Sequence, residues 1–320
     1  MAAGISPGGK GALHLYELSQ GQLTTKFECN KAFDQGIKCA TLGASRIEER
    51  TVALGDYGGG LSIIDLRTSE SENPTIVFQA QAHEGIINCI DGIGGTSIGH
   101  GAPEVVTGGR DGSAKVWDPR VDYPVVCLEP EKGIARRDCW SVTFGDSYND
   151  EERCVCVGYD NGDLKLFDLR NQTIRWESNV KNGVTSVEFD RKDIEMNKLL
   201  VTTLESKFWC FDMRTQHASD GFAFKTEKAH RSTIWLSRHL PQNRDIFMTG
   251  GGNGGFNLYK YHYPINRVGK NAKDGTPIGV MGDIELLNSR VISTQPIVAF
   301  DWSPDRVGLC CMGCLDQSLR

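Results

Sequence analysis

Several short stretches of this sequence carry residue types that could do chemistry. Gly4-Ile-Ser-Pro-Gly-Gly9-Lys10 has the spacing of a phosphate-binding loop. Such a loop needs a buried strand before it, a helix after it and a Ser or Thr for magnesium. Here three residues precede it and Gly11 follows, so an ordinary turn is expected. Gly92-Ile-Gly-Gly-Thr-Ser-Ile-Gly99 is glycine-rich but opens no helix, which argues against a dinucleotide site and for a loop. Cys311 and Cys314 have the spacing of half a zinc site, but no second pair completes the four ligands a tetrahedral site wants. The seven histidines form no H-E-x-x-H, and no serine sits in a G-x-S-x-G elbow. The acid pairs Glu48-Glu49 and Glu151-Glu152 read as solvated turn charges. No catalytic constellation, metal set or cofactor is expected, and the chain reads as a non-enzyme.

What does recur is an acid two residues before an arginine. It appears as Asp65–Arg67, Asp118–Arg120, Asp168–Arg170 and Asp212–Arg214. Each copy ends the same phrase, in which a small polar turn is followed by an alternating apolar strand and then a bulky residue before Asp. Tyr57 to Arg67, Arg110 to Arg120, Tyr159 to Arg170 and Glu205 to Arg214 carry it. Gly252 to Lys260 keeps the turn and loses the acid. Gly11 to Leu18 opens the series, and Leu315 to Arg320 is a copy cut short. The period is roughly 45–60 residues, the range of WD repeats and slightly above.

The elements that carry the phrase are short strands joined by tight turns, and each repeat reads as four of them. In the clearest copy these are 86–90, 105–108, 114–117 and 124–128. Asp111-Gly112 supplies the hairpin turn, because Asp-Gly tolerates positive φ. The predicted fold is therefore all-β, a single WD-repeat β-propeller over residues 1–320. Complete repeats are expected at about 37–80, 86–130, 139–179, 183–229 and 233–289. Partial blades are expected at 1–32, with two strands, and at 294–320. The ends could close a sixth blade, or the chain is a seven-bladed propeller short of strands at both ends. In WD repeats a His near the repeat start bonds the turn Asp, with a Ser or Thr and the Trp completing the set. His83, Asp111 and Trp117 fit that pattern, Thr107 matches the hydroxyl only approximately, and His230 is a second copy of the His. The role expected of them is structural.

Composition narrows the setting. The net charge is −6, without the basic footprint that nucleic-acid binding wants. The first ten residues lack the apolar core of a signal peptide, and no apolar run reaches the length a membrane helix needs. Of 11 cysteines, Cys39, Cys89, Cys139, Cys154, Cys156, Cys310 and Cys311 fall in apolar strand-like runs, as small buried thiols do. A reducing, cytoplasmic setting is expected, with no nucleic acid and no membrane.

A more specific resemblance lies in the loops. Cys89-Ile-Asp-Gly-Ile-Gly-Gly95, Gly99-His-Gly-Ala-Pro-Glu104, Arg137-Asp-Cys-Trp140, Val187-Glu-Phe-Asp-Arg-Lys-Asp193, Asp212-Met-Arg-Thr-Gln-His217, His239-Leu-Pro-Gln-Asn-Arg244 and Ser293-Thr-Gln-Pro-Ile297 together resemble the WD-repeat dynein axonemal assembly factors of the Monad type. The resemblance covers essentially the whole chain. It implies a seven-bladed propeller, cytosolic pre-assembly of axonemal dynein for cilium biogenesis, and association with the prefoldin-like co-chaperone complex that contains RUVBL ATPases. It also carries a link to apoptosis. The chain is then a protein-binding scaffold, monomeric within larger complexes. Candidate partner-binding residues are Arg136, Arg137, Trp140 and Trp235, near the starts of innermost strands, because Trp and Arg dominate binding hot spots. The loop 92–104 and the insertion 261–282 are the other candidates, since loops on a rigid scaffold carry function. A competing reading takes the D-x-R copies as adaptor-docking sites of a cullin ubiquitin ligase substrate receptor, through Arg67, Arg120, Arg170 and Arg214. Set against it is a recurring structural job for those arginines at the blade edge.

Overall fold

A computed structural model describes the chain except residues 1, 7, 45–48, 69–74, 95–103, 132, 134, 149–150, 218–220 and 272–274. The described residues contain no α-helix, and a 3-10 turn lies at Leu66–Thr68. The fold is an all-β WD-repeat propeller, and its residues group into two compact units. One holds Met1–Tyr159 with Asp168–Thr173, the other Asp160–Phe167 with Ile174–Arg320.

In the first unit, β1 (Ala2–Ile5), β2 (Gly11–Ser19) and β3 (Gln22–Phe33) form an antiparallel sheet. The sequence predicts two strands here, and the structure adds Ala2–Ile5, whose short Ala-Ala-Gly-Ile run carries no alternating pattern. It pairs with Gly11–His14 across a turn in which Ser6 N–H donates to Lys10 O (2.8 Å). The glycine-lysine spacing thus spans the end of β1 and a turn closed by the Ser6–Lys10 bond. The first complete repeat is β4 (Ile37–Thr41), β5 (Thr51–Asp56), β6 (Gly60–Asp65) and β7 (Thr75–Gln81) in that spatial order. The second is β8 (Ile87–Gly92), β9 (Val105–Gly109), β10 (Ala114–Trp117) and β11 (Pro124–Leu128). The third repeat gives β12 (Cys139–Gly145) and β13 (Cys154–Tyr159) to this unit.

In the second unit lie β14 (Asp163–Asp168, all but its last residue) and β15 (Thr173–Asn179, all but its first). The fourth repeat follows as β16 (Val184–Phe189), β17 (Lys198–Thr203), β18 (Lys207–His217) and β19 (Gly221–Lys228). The fifth has β20 (Ile234–Leu240), β21 (Asn243–Gly251) and β22 (Gly255–His262). An inserted hairpin, β23 (Val268–Lys270) and β24 (Pro277–Gly279), precedes its outer strand β25 (Asp283–Val291). The C-terminal sheet pairs β26 (Ile297–Trp302) with β27 (Cys310–Cys314), within the partial blade expected at 294–320. The stub after it returns to pair, Met312 and Arg320 exchanging backbone bonds of 2.9 Å.

The core lies between sheets, which is why second strands such as β9, β13 and β17 are buried on both faces. Period-2 alternation sends Val52 and Leu54 of β5 toward Leu13 of the N-terminal sheet. Ala53 points the other way, joining Leu61, Ile63, Ile87 and Trp117. In the second unit one cluster joins Leu200, Phe208 and Cys210 to Ile234, Phe247 and Tyr259, and another joins Leu236 and Met248 to Ile297, Phe300 and Trp302. Acids clamp successive innermost strands as well. Asp91 accepts from Phe144 N–H (2.9 Å), and Glu188 accepts from His239 N–H (2.8 Å).

Candidate partner-binding surface

One end of each repeat is built from two turns, the hairpin between the second and third strands and the segment that enters the next repeat. In four of the five complete repeats the hairpin carries a glycine in the left-handed region: Gly59 (φ 87°), Gly112 (81°), Gly162 (91°) and Gly254 (72°). The reason is close approach as well as conformation. A Cβ at Gly59 would come within 2.3 Å of His83 O and 2.4 Å of Gly85 O, and one at Gly112 within 2.8 Å of Arg137 O. Gly162 meets the backbone of Asn182, and Gly254 that of Ser293, in the same way. Each hairpin therefore seats on the backbone entering the following repeat.

In the second repeat a buried polar chain holds this joint. Trp117 Nε1–H donates to Thr107 Oγ1 (3.0 Å), and Thr107 Oγ1 lies 2.8 Å from His83 Nε2. His83 Nδ1 lies 3.0 Å from Asp111, which also accepts from Ser113 Oγ (2.7 Å), Ser113 N–H and Glu84 N–H (3.0 Å each). Thr107 thus fills the hydroxyl position between the two rings. Burial alone would raise the Asp111 pKa, but the bonds from His83 and Ser113 outweigh it and hold the carboxyl well below its usual range. In the fifth repeat His230 lies 2.8 Å from Thr249 Oγ1, but Asn253 stands where the acid would be and pairs with Ser232. Burial without a carboxylate pushes the His230 pKa down.

The D-x-R copies share one structural job. In all four the Asp accepts from the backbone N–H of the Arg two residues on, at 2.8 Å (Arg67), 3.0 Å (Arg120), 2.9 Å (Arg170) and 2.9 Å (Arg214). Arg67 and Arg120 also fold their guanidinium back onto the same carboxylate, at 2.6 and 2.8 Å. Asn171 takes the second oxygen of Asp168, and Arg214 pairs with Glu195 instead. A turn closed by its own Asp accounts for the recurrence.

The other sequence candidates sit at the strand starts. Arg136 is exposed and pairs with Glu84 (2.9 Å), while Arg137 is exposed with its backbone seated on Gly112. Trp140, half-buried, and Trp235, 38% exposed, are second residues of β12 and β20. Both are bulge residues skipped by the strand register. The same holds for Lys38, Asn88, Thr185 and Val298 in β4, β8, β16 and β26. A bulge re-aims the extra side chain, so each innermost strand presents one residue by the same device. Two of these side chains reach onward: Asn88 donates to Cys139 O (3.1 Å) and Thr185 to Ile234 O (2.5 Å). The bulge set is a repeat-position signal that motif reading passes over. The apex of the 92–104 loop lies outside the described residues.

The 261–282 insertion is not surface loop throughout. Its base is core. Tyr261 is 1% exposed, and its hydroxyl accepts from Gly282 N–H (2.8 Å). Tyr263 bonds the Lys198 ammonium, which is almost fully buried and paired with Asp190 (3.3 Å) and Asp245 (3.2 Å). Arg244 bonds Asp190 at 2.7 Å, and Arg267 stacks on the Tyr263 ring at 4.6 Å. Beyond this base, Ile265 and Val268 are exposed. A lysine opening the apolar run Lys198-Leu-Leu-Val was the available clue. Among the described residues no group of three or more His, Cys, Asp or Glu is placed to hold a metal. Burial pushes the Cys156 and Cys210 thiols up to about 12, so they pack as neutral groups.

No family model matches the chain. Curated relatives do. A Xenopus tropicalis protein named Dynein axonemal assembly factor 10 is 56% identical over 313 residues, 98% of this chain and 86% of its own length. The Homo sapiens protein of that name is 55% identical over the same span and shares. A Chlamydomonas reinhardtii protein of that name is 50% identical over 312 residues, 97% of this chain and 85% of its own length. With half or more of its residues identical along nearly its whole length, the chain belongs to the dynein axonemal assembly factor 10 family.

Proposed function

We propose that this chain is a non-enzymatic cytoplasmic scaffold for the pre-assembly of axonemal dynein. In this role it holds dynein chains against the prefoldin-like co-chaperone complex that contains RUVBL ATPases. The observation that carries the reading is the 50–56% identity to assembly factors from frog, human and green alga. The architecture suits the role, because stacked sheets hold the turns at their ends rigidly and leave side chains there free for partners. Arg136, Arg137 and Trp140 in the first unit, and Trp235 in the second, are the contact residues of this reading.

The test is affinity purification from ciliated cells followed by mass spectrometry. The wild-type chain is expected to recover dynein chains and the co-chaperone ATPases. Reversing Arg136 and Arg137 to Glu is expected to reduce both and leave the melting temperature unchanged. Recovery of a cullin adaptor in their place, lost on changing Arg67, Arg120, Arg170 and Arg214, would overturn the assembly reading.

A further inference from the structure

The strand starts of the first unit carry cations whose backbones are fixed and whose side chains reach solvent. Lys38 is the bulge residue of β4 and exposed, with the neighbouring Cys39 thiol donating to Ile87 O (3.5 Å) on the next innermost strand. Arg110 is exposed at the head of its hairpin, its N–H donating to Ile86 O (3.0 Å). Arg137 is exposed, its backbone seated on Gly112 of that same hairpin. Tyr57, 38% exposed, is tied to this end by its N–H to Gly36 O (3.0 Å), and Trp140 opens β12 three residues after Arg137.

The joints make these positions contiguous. The Tyr57–Gly59 hairpin seats on the segment at His83 and Gly85, and the Arg110–Gly112 hairpin seats on the segment at Arg137. Asn88, the bulge residue between Lys38 and Trp140 in strand order, reaches Cys139 O. Acids on the same rim are already engaged. Asp56 accepts from Gly58 and Gly60 N–H (2.8 and 2.7 Å), Asp111 is bonded to His83, and Glu84 is paired with Arg136. Asp138, beside Arg137, is half-buried. Among the described residues none of the exposed Lys38, Arg110 and Arg137 is in an ion pair, so their charges are open to a partner.

We propose that this rim binds an acidic, extended segment of a partner protein, its carboxylates on Lys38, Arg110 and Arg137 and its apolar side chains on Tyr57 and Trp140. Guanidinium groups suit carboxylates because their donors match the two oxygens. Partly exposed aromatic rings beside them supply the apolar contact that pure charge pairing in water lacks. The proposal deepens the scaffold reading and rests on it.

The experiment uses the full chain and a fluorescein-labelled peptide in which Asp and Glu alternate with Leu and Phe, read by anisotropy. The comparison peptide carries Asn and Gln in place of the acids. The acidic peptide is expected to bind and to weaken as salt rises, and the amide peptide to bind at least about tenfold more weakly. Changing Lys38, Arg110 and Arg137 together to Glu is expected to lower acidic-peptide affinity at least about tenfold, and the Gln triple variant to fall between. Arg175→Glu, on β15, is the control expected to bind as wild type. Circular dichroism and melting show that each variant is folded. Equal binding of the two peptides, no binding of either, or full affinity in the folded Glu triple variant would overturn the proposal. If the triple variant loses dynein chains and co-chaperone from cells while the acidic peptide never bound, the scaffold reading stands and the acidic chemistry falls.

Discussion

Replacing Thr107 by Val separates hydrogen bonding from packing in the buried chain of the second repeat. The two side chains have nearly the same shape, so little cavity forms, but a single hydroxyl is removed from between two rings. That hydroxyl accepts from Trp117 Nε1–H at 3.0 Å and meets His83 Nε2 at 2.8 Å. Asp111 beside Nδ1 fixes the imidazole proton there, so Thr107 donates to Nε2 while accepting from the indole. Thr107, His83 and Trp117 are 0%, 3% and 2% exposed, so no solvent replaces the lost partner. Each buried group left unpaired costs about 1–3 kcal/mol, so the pair costs roughly 2–6 kcal/mol. At about 2–4 °C per kcal/mol the melting temperature should fall by about 10 °C. Thr107→Ser keeps the hydroxyl, loses one methyl group and should cost only about 1 kcal/mol. Urea unfolding of both variants, followed by tryptophan fluorescence, gives the comparison. Adding Trp117→Phe to Thr107→Val should cost less than the sum of the single changes, because the orphaned donor is gone. If the Val and Ser variants unfold at the same urea concentration, the shared-hydroxyl argument is wrong.

Lys198→Met should destabilise by about 3–5 kcal/mol, because it strands Asp190, whose side chain is wholly buried, with Arg244 as its remaining cation; an unchanged denaturation midpoint would count against the ion cluster as a support of the insertion. The His230 pKa is held below its ordinary value by burial, so its contribution to stability is present above about pH 6.5 and is lost as pH falls through that value, where the unfolded chain takes up a proton the folded chain refuses. Stability measured in urea from pH 8 to 5 should show that slope flattened in His230→Gln, and identical slopes would refute it. Replacing residues 268–279 by a short turn should leave the melting temperature nearly unchanged, whereas removing 261–282 should lower it sharply by taking Tyr261 and Tyr263 out of the interior; equal melting of the two deletions would contradict the split between base and tip.

The parts of the fold legible in the sequence were those that repeat. Asp111-Gly112 and its counterparts mark the hairpins because the backbone there must enter the left-handed region, and third strands show because apolar and polar residues alternate along them. The strand Ala2–Ile5 was not legible, since four small or apolar residues give no period. Nor were the bulges: Lys38, Asn88 and Trp140 differ in chemistry and share only an offset from the strand start, which register alone gives meaning. The Lys198 cluster gathers carboxylates and rings from the turn after β16, from β21 and β22 and from the insertion, with partners up to 65 residues away, and no local pattern announces it. For the D-x-R copies the acid and arginine types were plain, but their use was not; the backbone N–H of the arginine turns out to be the common donor, and the guanidinium returns to its own acid in only two copies.

The glycine joints have a consequence for how the molecule folds and fails. Each of the four glycine hairpins is completed by a surface that follows its own repeat, so those repeats do not hold their final shape until the next segment has arrived. Such a chain behaves as a row of nearest-neighbour switches, with order propagating from whichever pair of repeats forms first. A lesion at one joint then travels. Alanine at Gly59, pressed against His83 and Gly85, would damage the second repeat's entry as much as the first repeat's own turn. Amide exchange would reveal it as lost protection downstream of the substituted residue.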